Sequence, residues 1–237
     1  MLSRKVMSGG APVDPYFKNV TLLLHGDGTN GGQNNTFIDG SSNNFTITRN
    51  GNTTQGSFNP YGTLWSNYFD GSGDYLQWTG TALGSGDFTV ECFVNLQVLS
   101  ANKAVIGSAA ANTSAGWEIF TATDKFYFYS NGSSTITTTQ VLTIGRWYHV
   151  AAVRSGSTLT LYIDGVNSGS ATFTANLTNT TMYVSNDFAG QVHNAYVSNV
   201  RHVVGTAVYT ANFTPPTSNL TAISGTSVLT CQSNRLS

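Results

Sequence analysis

Apolar and polar side chains alternate along this chain in short runs, and the clearest of them is Leu159-Thr160-Leu161-Tyr162-Ile163. Successive side chains of a strand point to opposite faces, so Leu159, Leu161 and Ile163 share an apolar face while Thr160 and Tyr162 share a polar or amphipathic one. That is the pattern of a half-buried strand. Asp164-Gly165 follows and supplies the positive-φ positions of a tight hairpin turn, and Ser155-Gly156-Ser157 does similar work upstream. With Trp147 to Arg154 before the first turn and Val166 after the second, two consecutive antiparallel hairpins are predicted. The same period recurs in Phe88, Val90, Cys92 and Val94 against Thr89, Glu91 and Phe93. It recurs again in Phe126 and Phe128 against Tyr127 and Tyr129.

Further strands are predicted from Val20 to His25, Trp65 to Phe69, Tyr75 to Trp78, Ala104 to Ile106, Trp117 to Thr121, Thr181 to Val184, Gln191 to Val204 and Ser227 to Thr230. Asp70-Gly71-Ser72-Gly73-Asp74 reads as a turn between two of them. Gly26 to Gly62 reads as mostly loop, with Phe37-Ile38 and Phe45-Thr46-Ile47 as short strand candidates. No segment has a helical period of useful length, apart from one turn near Gly205-Thr206. The chain is therefore expected to be an all-β, antiparallel sandwich. Residues 1–15 read as an N-terminal arm or linker, 16–222 as the sandwich and 223–237 as a C-terminal strand and tail. The stretch Thr226 to Asn234 echoes Asn19 to Asp27, as a truncated further module or by chance. In either case strands at both ends of the chain would lie side by side and close the sandwich.

Only 9% of residues are charged and the formal net charge is −1. Ser, Thr, Asn and Gly fill most polar positions, so solubility rests on hydroxyls and amides. No long-range positive field exists, which argues against nucleic acid as a partner. Thirteen Phe, 11 Tyr and 4 Trp are enough for a real core in 237 residues. The N-terminus lacks the apolar run of about 7–15 residues of a secretory signal, and no stretch approaches the ~20 apolar residues of a membrane span. Membrane insertion is not expected. Cys92 and Cys231 are read as free thiols. Asn-x-Ser/Thr triplets recur, for example at Asn131 and Asn176, as a by-product of an Asn/Thr-rich composition.

Five segments in order carry a resemblance: Tyr68 to Leu76, Asp87 to Val94, Trp147 to Ala151, Leu161 to Gly165 and Ser198 to Arg201. As a set they resemble the laminin G-like group of the concanavalin A-like lectin/glucanase superfamily, over about Val20 to Pro216. The resemblance implies a jelly-roll of two curved antiparallel sheets, with binding surfaces on the concave face or on edge loops. It also implies Asp27 and Asp39 as edge-loop acids for calcium. The chain departs from the pattern at Ala195, where relatives carry glycine, and at Ser198-Asn199, where they often carry an acid. The stretch from Arg201 to Pro216 is similar to versions of the module in virion proteins of marine bacteriophages.

Retaining glycan hydrolysis needs two carboxyl groups about 5–5.5 Å apart. Glu91 and Glu118 are the only glutamates, and neither has a partner at the family's strand spacing. No catalytic residue is assigned, and Glu91 is read as a structural carboxylate. His25, His149, His193 and His202 have no recognisable triad partners, and there is no Gly-x-Ser-x-Gly elbow. Gly26-Asp27-Gly28-Thr29-Asn30-Gly31 fits a dinucleotide-binding spacing, but no helix start follows it, so it is read as a loop. Hard cations favour oxygen-rich loops, which makes calcium the candidate metal at Asp27 with Asp39; Asp70 and Asp74 bracket a second such loop. For a sugar ligand, Trp117, Tyr127, Tyr129 and Tyr162 are the candidate stacking residues. The expectation is a non-enzymatic protein on the exterior of a phage particle, binding host-surface glycans and docked to other virion proteins by its arm. Purely structural packing and a degenerate glycan hydrolase are the alternatives. Both a homo-oligomer and a monomer fit the composition.

Overall fold

The structure is a computed structural model that describes residues 15–26, 37–62, 65–100 and 102–232. After a single 3-10 turn at Phe17–Asn19 come β1 (Leu22–Gly26), β2 (Phe37–Asp39), β3 (Thr48–Asn50), β4 (Thr54–Gly56), β5 (Ser66–Asp70) and β6 (Tyr75–Thr79). The middle of the chain forms β7 (Phe88–Leu96), β8 (Lys103–Ser108), β9 (Glu118–Ala122), β10 (Lys125–Ser130) and β11 (Ser133–Thr137). The remainder forms β12 (Trp147–Ser155), β13 (Thr158–Ile163), β14 (Val166–Thr172), β15 (Thr181–Val184), β16 (Asn194–Val204) and β17 (Thr226–Thr230). Among the described residues no helix is long and apolar enough to cross a membrane.

Two sheets face each other. The larger, of ten strands, runs β14-β13-β12-β7-β16-β17-β1-β2, with β5 joining β16 and β4 joining β5. The smaller, of seven, runs β11-β10-β9-β8-β15-β6-β3. The β12-β13-β14 meander forms the two predicted hairpins, with Ala152 opposite Leu161 and Ile163 opposite Val166. Its tight turn places Asp164 at φ 51 and Gly165 at φ 77. The Asp70 to Asp74 turn, by contrast, joins two sheets: β5 pairs with β16 in the larger and β6 with β15 in the smaller. Asp74 holds that crossover by accepting from the Asp70 and Asn52 amides at 3.0 and 2.6 Å. Phe45 to Ile47 lies outside any strand, and no helical turn forms at Gly205.

The first and last described strands meet. β17 lies between β16 and β1, antiparallel to the first and parallel to the second, with Leu22 opposite Val228. The strand that sequence set apart as a C-terminal piece is therefore an inner strand of the sandwich, and the β1–β17 pair departs from the antiparallel rule.

The core between the sheets takes the alternate residues that the period marks: Phe88, Val90, Cys92 and Val94 from β7 meet Phe126 and Phe128 from β10, all fully buried. Packed sheets stand about 10 Å apart, so large rings fill the layer. Cys92 and Cys231 are free and buried there. His202 also sits in this layer, its ring 5.4 Å from that of Trp117. Burial pushes its pKa down to about 3, so the ring is neutral.

Part of the outer face of the larger sheet is covered as well. Residues 205–222 cross it and lay Ala207, Tyr209 and Phe213 over Ala151, Val153 and Tyr162. Beneath them Glu91, fully buried, accepts from Arg201 Nε at 2.8 Å and the Tyr209 hydroxyl at 2.9 Å and lies 3.0 Å from His149 Nε2. Burial alone would raise its pKa, but the His149 hydrogen bond and the Arg201 and His149 charges outweigh it and hold the carboxyl below its ordinary range.

Candidate functional site

Among the described residues no such covering segment crosses the outer face of the seven-stranded sheet, and its rows follow from register. Tyr129 stands opposite Glu118, Glu118 opposite Gly107, Gly107 opposite Tyr183 and Tyr183 opposite Gln77. Directly paired residues put their side chains on the same face. Tyr127 opposite Phe120 forms the adjacent row. Because Phe126 and Phe128 fill the core, Tyr127 and Tyr129 must face outward, and both are half-buried. Phe120 stacks on Tyr127 at 4.8 Å between ring centroids and meets Tyr129 edge-on at 6.0 Å.

A loop from β15 to β16 completes the face. Ser185, at φ 64, ties its base by donating to the His193 carbonyl and accepting from the His193 amide at 3.1 Å. Asp187 Oδ1 accepts from the Ala189 and Gln191 amides, each at 2.8 Å. These bonds hold Phe188 parallel to Tyr129 at 6.3 Å, and 40% of Phe188 is exposed.

Glu118 lies at the centre of this face. It is 4% exposed, and its Oε2 has no hydrogen-bond partner in the protein. Burial, then the charge of Asp187, pushes its pKa up to about 8. At neutral pH it is therefore a carboxylic acid that can donate a hydrogen bond as well as accept one. Gly107 is what lets Glu118 sit there, since a Cβ at 107 would fall 2.6 Å from Glu118 Cβ. The arrangement offers aromatic faces for an apolar ring surface, with the neutral acid buried behind them.

The structure sorts the sequence candidates. Tyr127 and Tyr129 come together on this face. Trp117 does not: it is 1% exposed and stacks on Phe128 in the core at 6.2 Å, so it is no sugar platform. Tyr162 lies on the opposite side of the sandwich, 4% exposed beneath Phe213 at 5.4 Å, and is not available either. Asp27 lies outside the described residues, as does most of the glycine-rich loop from Gly26 to Gly31. Asp39 accepts four hydrogen bonds, from the Leu23 and Ser41 amides on Oδ1 and from the Ser41 hydroxyl and the Phe45 amide on Oδ2. A carboxylate so filled with donors pins its loop and does not fit the calcium role. Among the described residues no three His, Cys, Asp or Glu side chains gather as metal ligands. Glu118, Phe120, Tyr183, Asp187 and Phe188 were not singled out as site residues from sequence. The i, i+2 step from Glu118 to Phe120 was a signal for the first two; nothing local announced the loop.

A family model for the laminin G-like branch of the concanavalin A-like lectin/glucanases superfamily matches residues 70–212. The chain belongs to that family. No curated protein matches the sequence. Among solved structures the chain is similar to domain 4 of an extracellular arabinanase from Geobacillus stearothermophilus, solved with arabinotriose: 16% identity, TM-score 0.56, covering 70% of this chain and 85% of that one. It is also similar to the binding domain of botulinum neurotoxin DC, solved with a sialylated ligand, at 13% identity and TM-score 0.58 over 82% of this chain. The binding domain of botulinum neurotoxin serotype C1 gives 13% and 0.57 over the same share. The chain spans 50% of each of the two toxin domains. At these identities the likeness is one of fold.

Proposed function

We propose that this protein is a non-catalytic carbohydrate-binding sandwich, and that the glycan lies on the outer face of the seven-stranded sheet. The observation that carries the reading is the row of half-buried Tyr127 and Tyr129 rings with the exposed Phe188 ring stacked beside Tyr129. Aromatic faces take the C–H surface of a sugar ring, and a hydrogen-bonding group beside them fixes its orientation. Family membership supports the reading, as does the fold shared with domains solved with arabinotriose and a sialylated ligand. In the same proposal the module is displayed on the exterior of a phage particle, attaches it to host-surface glycans and docks to other virion proteins through residues 1–15. The similarity of the 201–216 stretch to phage modules supports that setting.

The test is glycan-array binding of the purified chain. Binding that falls in a folded Tyr129→Ala variant is expected. No binding at high concentration, with circular dichroism showing an intact fold, removes adhesion and leaves a packing module. For docking, deletion of residues 1–15 is expected to prevent incorporation into particles; incorporation of the truncated chain refutes it.

One observation favours hydrolysis as a second reading: Glu118 has the raised pKa of a general acid, and the Asp187 carboxylate lies within its electrostatic reach. Release of reducing ends from bound polysaccharide, lost in Glu118→Gln, would establish it. Glu91 is excluded from such a role by its three partners, which leave it no free oxygen to act on a substrate.

A further inference from the structure

The ten-stranded sheet has one part of its outer face that residues 205–222 do not cover. Register places Thr54, Tyr68, Tyr196, Asn95 and Trp147 in one row across β4, β5, β16, β7 and β12. Phe69, Ala195 and Val197 are buried in the core, so by alternation Tyr68 and Tyr196 face outward, and both are half-buried. Their rings are 4.7 Å apart. Phe58, on the loop after β4, is 48% exposed and touches Tyr196 edge-on at 4.7 Å and Trp147 at 5.4 Å. Residues 54–58 with Tyr68 and Tyr196 line a cleft of about 280 Å³.

Three features define what this cleft would take. None of its lining side chains is charged, which disfavours ionic ligands whose desolvation would go uncompensated. Its walls offer ring faces beside hydroxyls, the combination that suits a ring with an apolar face and a polar edge. Next to it are two donors without partners: Asn95 Nδ2, on a side chain that is fully buried, and Trp147 Nε1. Asn95 stands between Tyr196 and Trp147 in the row, and Phe58 contacts both of those rings, so Phe58 is placed to roof it. Both donors are closed off from solvent, so they neighbour the cleft without lining it. The volume is at the low end of small-molecule sites, about 300–1,000 Å³, which suits one ring better than a chain.

We infer that the Phe58–Tyr68–Tyr196 cleft is a second binding site, for a single uncharged saccharide ring, on the side of the sandwich opposite Tyr127 and Tyr129. It deepens the glycan-binding reading and does not depend on the first face being occupied. Two sites on opposite faces would let one module bridge two glycan chains, with the gain in avidity that linked sites give.

Two reporter signals separate the sites. In an isotope-labelled sample titrated with methyl glucoside, methyl galactoside and methyl arabinoside, the Trp147 indole N–H, assigned with Trp147→Phe, reports on the cleft. The Gly107 amide reports on the other face. A saturable shift of the Trp147 signal with at least one neutral glycoside is expected, weakened at least tenfold in Tyr196→Ala and in Phe58→Ala and retained in Tyr129→Ala. Phe58 is exposed, so its variant keeps the test valid if Tyr196→Ala does not fold. No Trp147 shift at high millimolar glycoside, or a shift unchanged in folded Phe58→Ala, overturns the inference. An equal response to a sialic acid glycoside overturns the uncharged class. Movement of Gly107 alone would refute the cleft and leave the proposed function standing; movement of Trp147 alone would do the reverse.

Discussion

Glu118→Gln should make this protein more stable, and more so the higher the pH. The folded state holds the Glu118 proton up to a pKa of about 8, against an ordinary value of 4.5. Between those values the folded protein keeps a proton that the unfolded chain has lost, so stability falls as pH rises through the window and is flat in this group on either side. At about 1.4 kcal/mol per pH unit, the full span corresponds to a loss of at most about 5 kcal/mol by pH 8–9. That is a large share of the roughly 5–15 kcal/mol total of a folded domain. Glutamine keeps the shape and does not ionise. Urea unfolding followed by tryptophan fluorescence at pH 5, 7 and 9 should show wild type and variant within about 1 kcal/mol at pH 5 and several kcal/mol apart at pH 9. A difference that is the same at all three pH values would refute the buried-acid account of Glu118 and, with it, the neutral hydrogen-bond donor assigned to the site.

The acid side should be governed by other groups. His202, held to about 3, and His193, held to about 4 by burial, bind protons more readily unfolded, so stability should drop as pH falls below about 6.5. His202→Leu should remove up to one proton from that slope, as measured by unfolding at pH 4, 5 and 6. Glu91→Gln leaves the Arg201 guanidinium buried without its carboxylate and should cost about 3–5 kcal/mol, whereas Tyr209→Phe, which deletes one bond to that charge, should cost about 1.5–3 kcal/mol; chemical denaturation checks both. Gly165→Ala would put a Cβ 1.9 Å from the Phe213 carbonyl oxygen at a positive φ, so hydrogen exchange across 205–222 should speed up while β7 and β12 stay protected.

Much of the sandwich was legible because its long strands carry their own period, whereas β3, β4 and β11 are short, mostly polar strands that were not predicted. In β13 the alternation with Asp164-Gly165 fixed both the faces and the hairpin, and it held in the structure. The same rule was the signal that Trp117 is core, since it stands two residues from Ile119 and shares its face. Tyr162 shows where local pattern stops: alternation puts it on the outer face, as found, but its burial depends on Phe213, fifty residues away in sequence and folded back over the sheet. The site face was half legible for the same reason. Tyr127 and Tyr129 follow from the period of β10, while Asp187 and Phe188 reach them by a loop whose course is set by Ser185 and the Asp187 cap. The turn at Asp70 to Asp74 reads identically whether it joins neighbours in one sheet or crosses between two; only the partners of β5 and β6 decide.

In the proposed function the outer face of the seven-stranded sheet binds glycan through its tyrosines. Calorimetric titration of the strongest array ligand into wild type and into a folded Tyr127→Ala, Tyr129→Ala double variant tests it most directly. Affinity at least tenfold weaker in the variant is expected, which is about 1.4 kcal/mol or more. Equal affinity for the two proteins would contradict it.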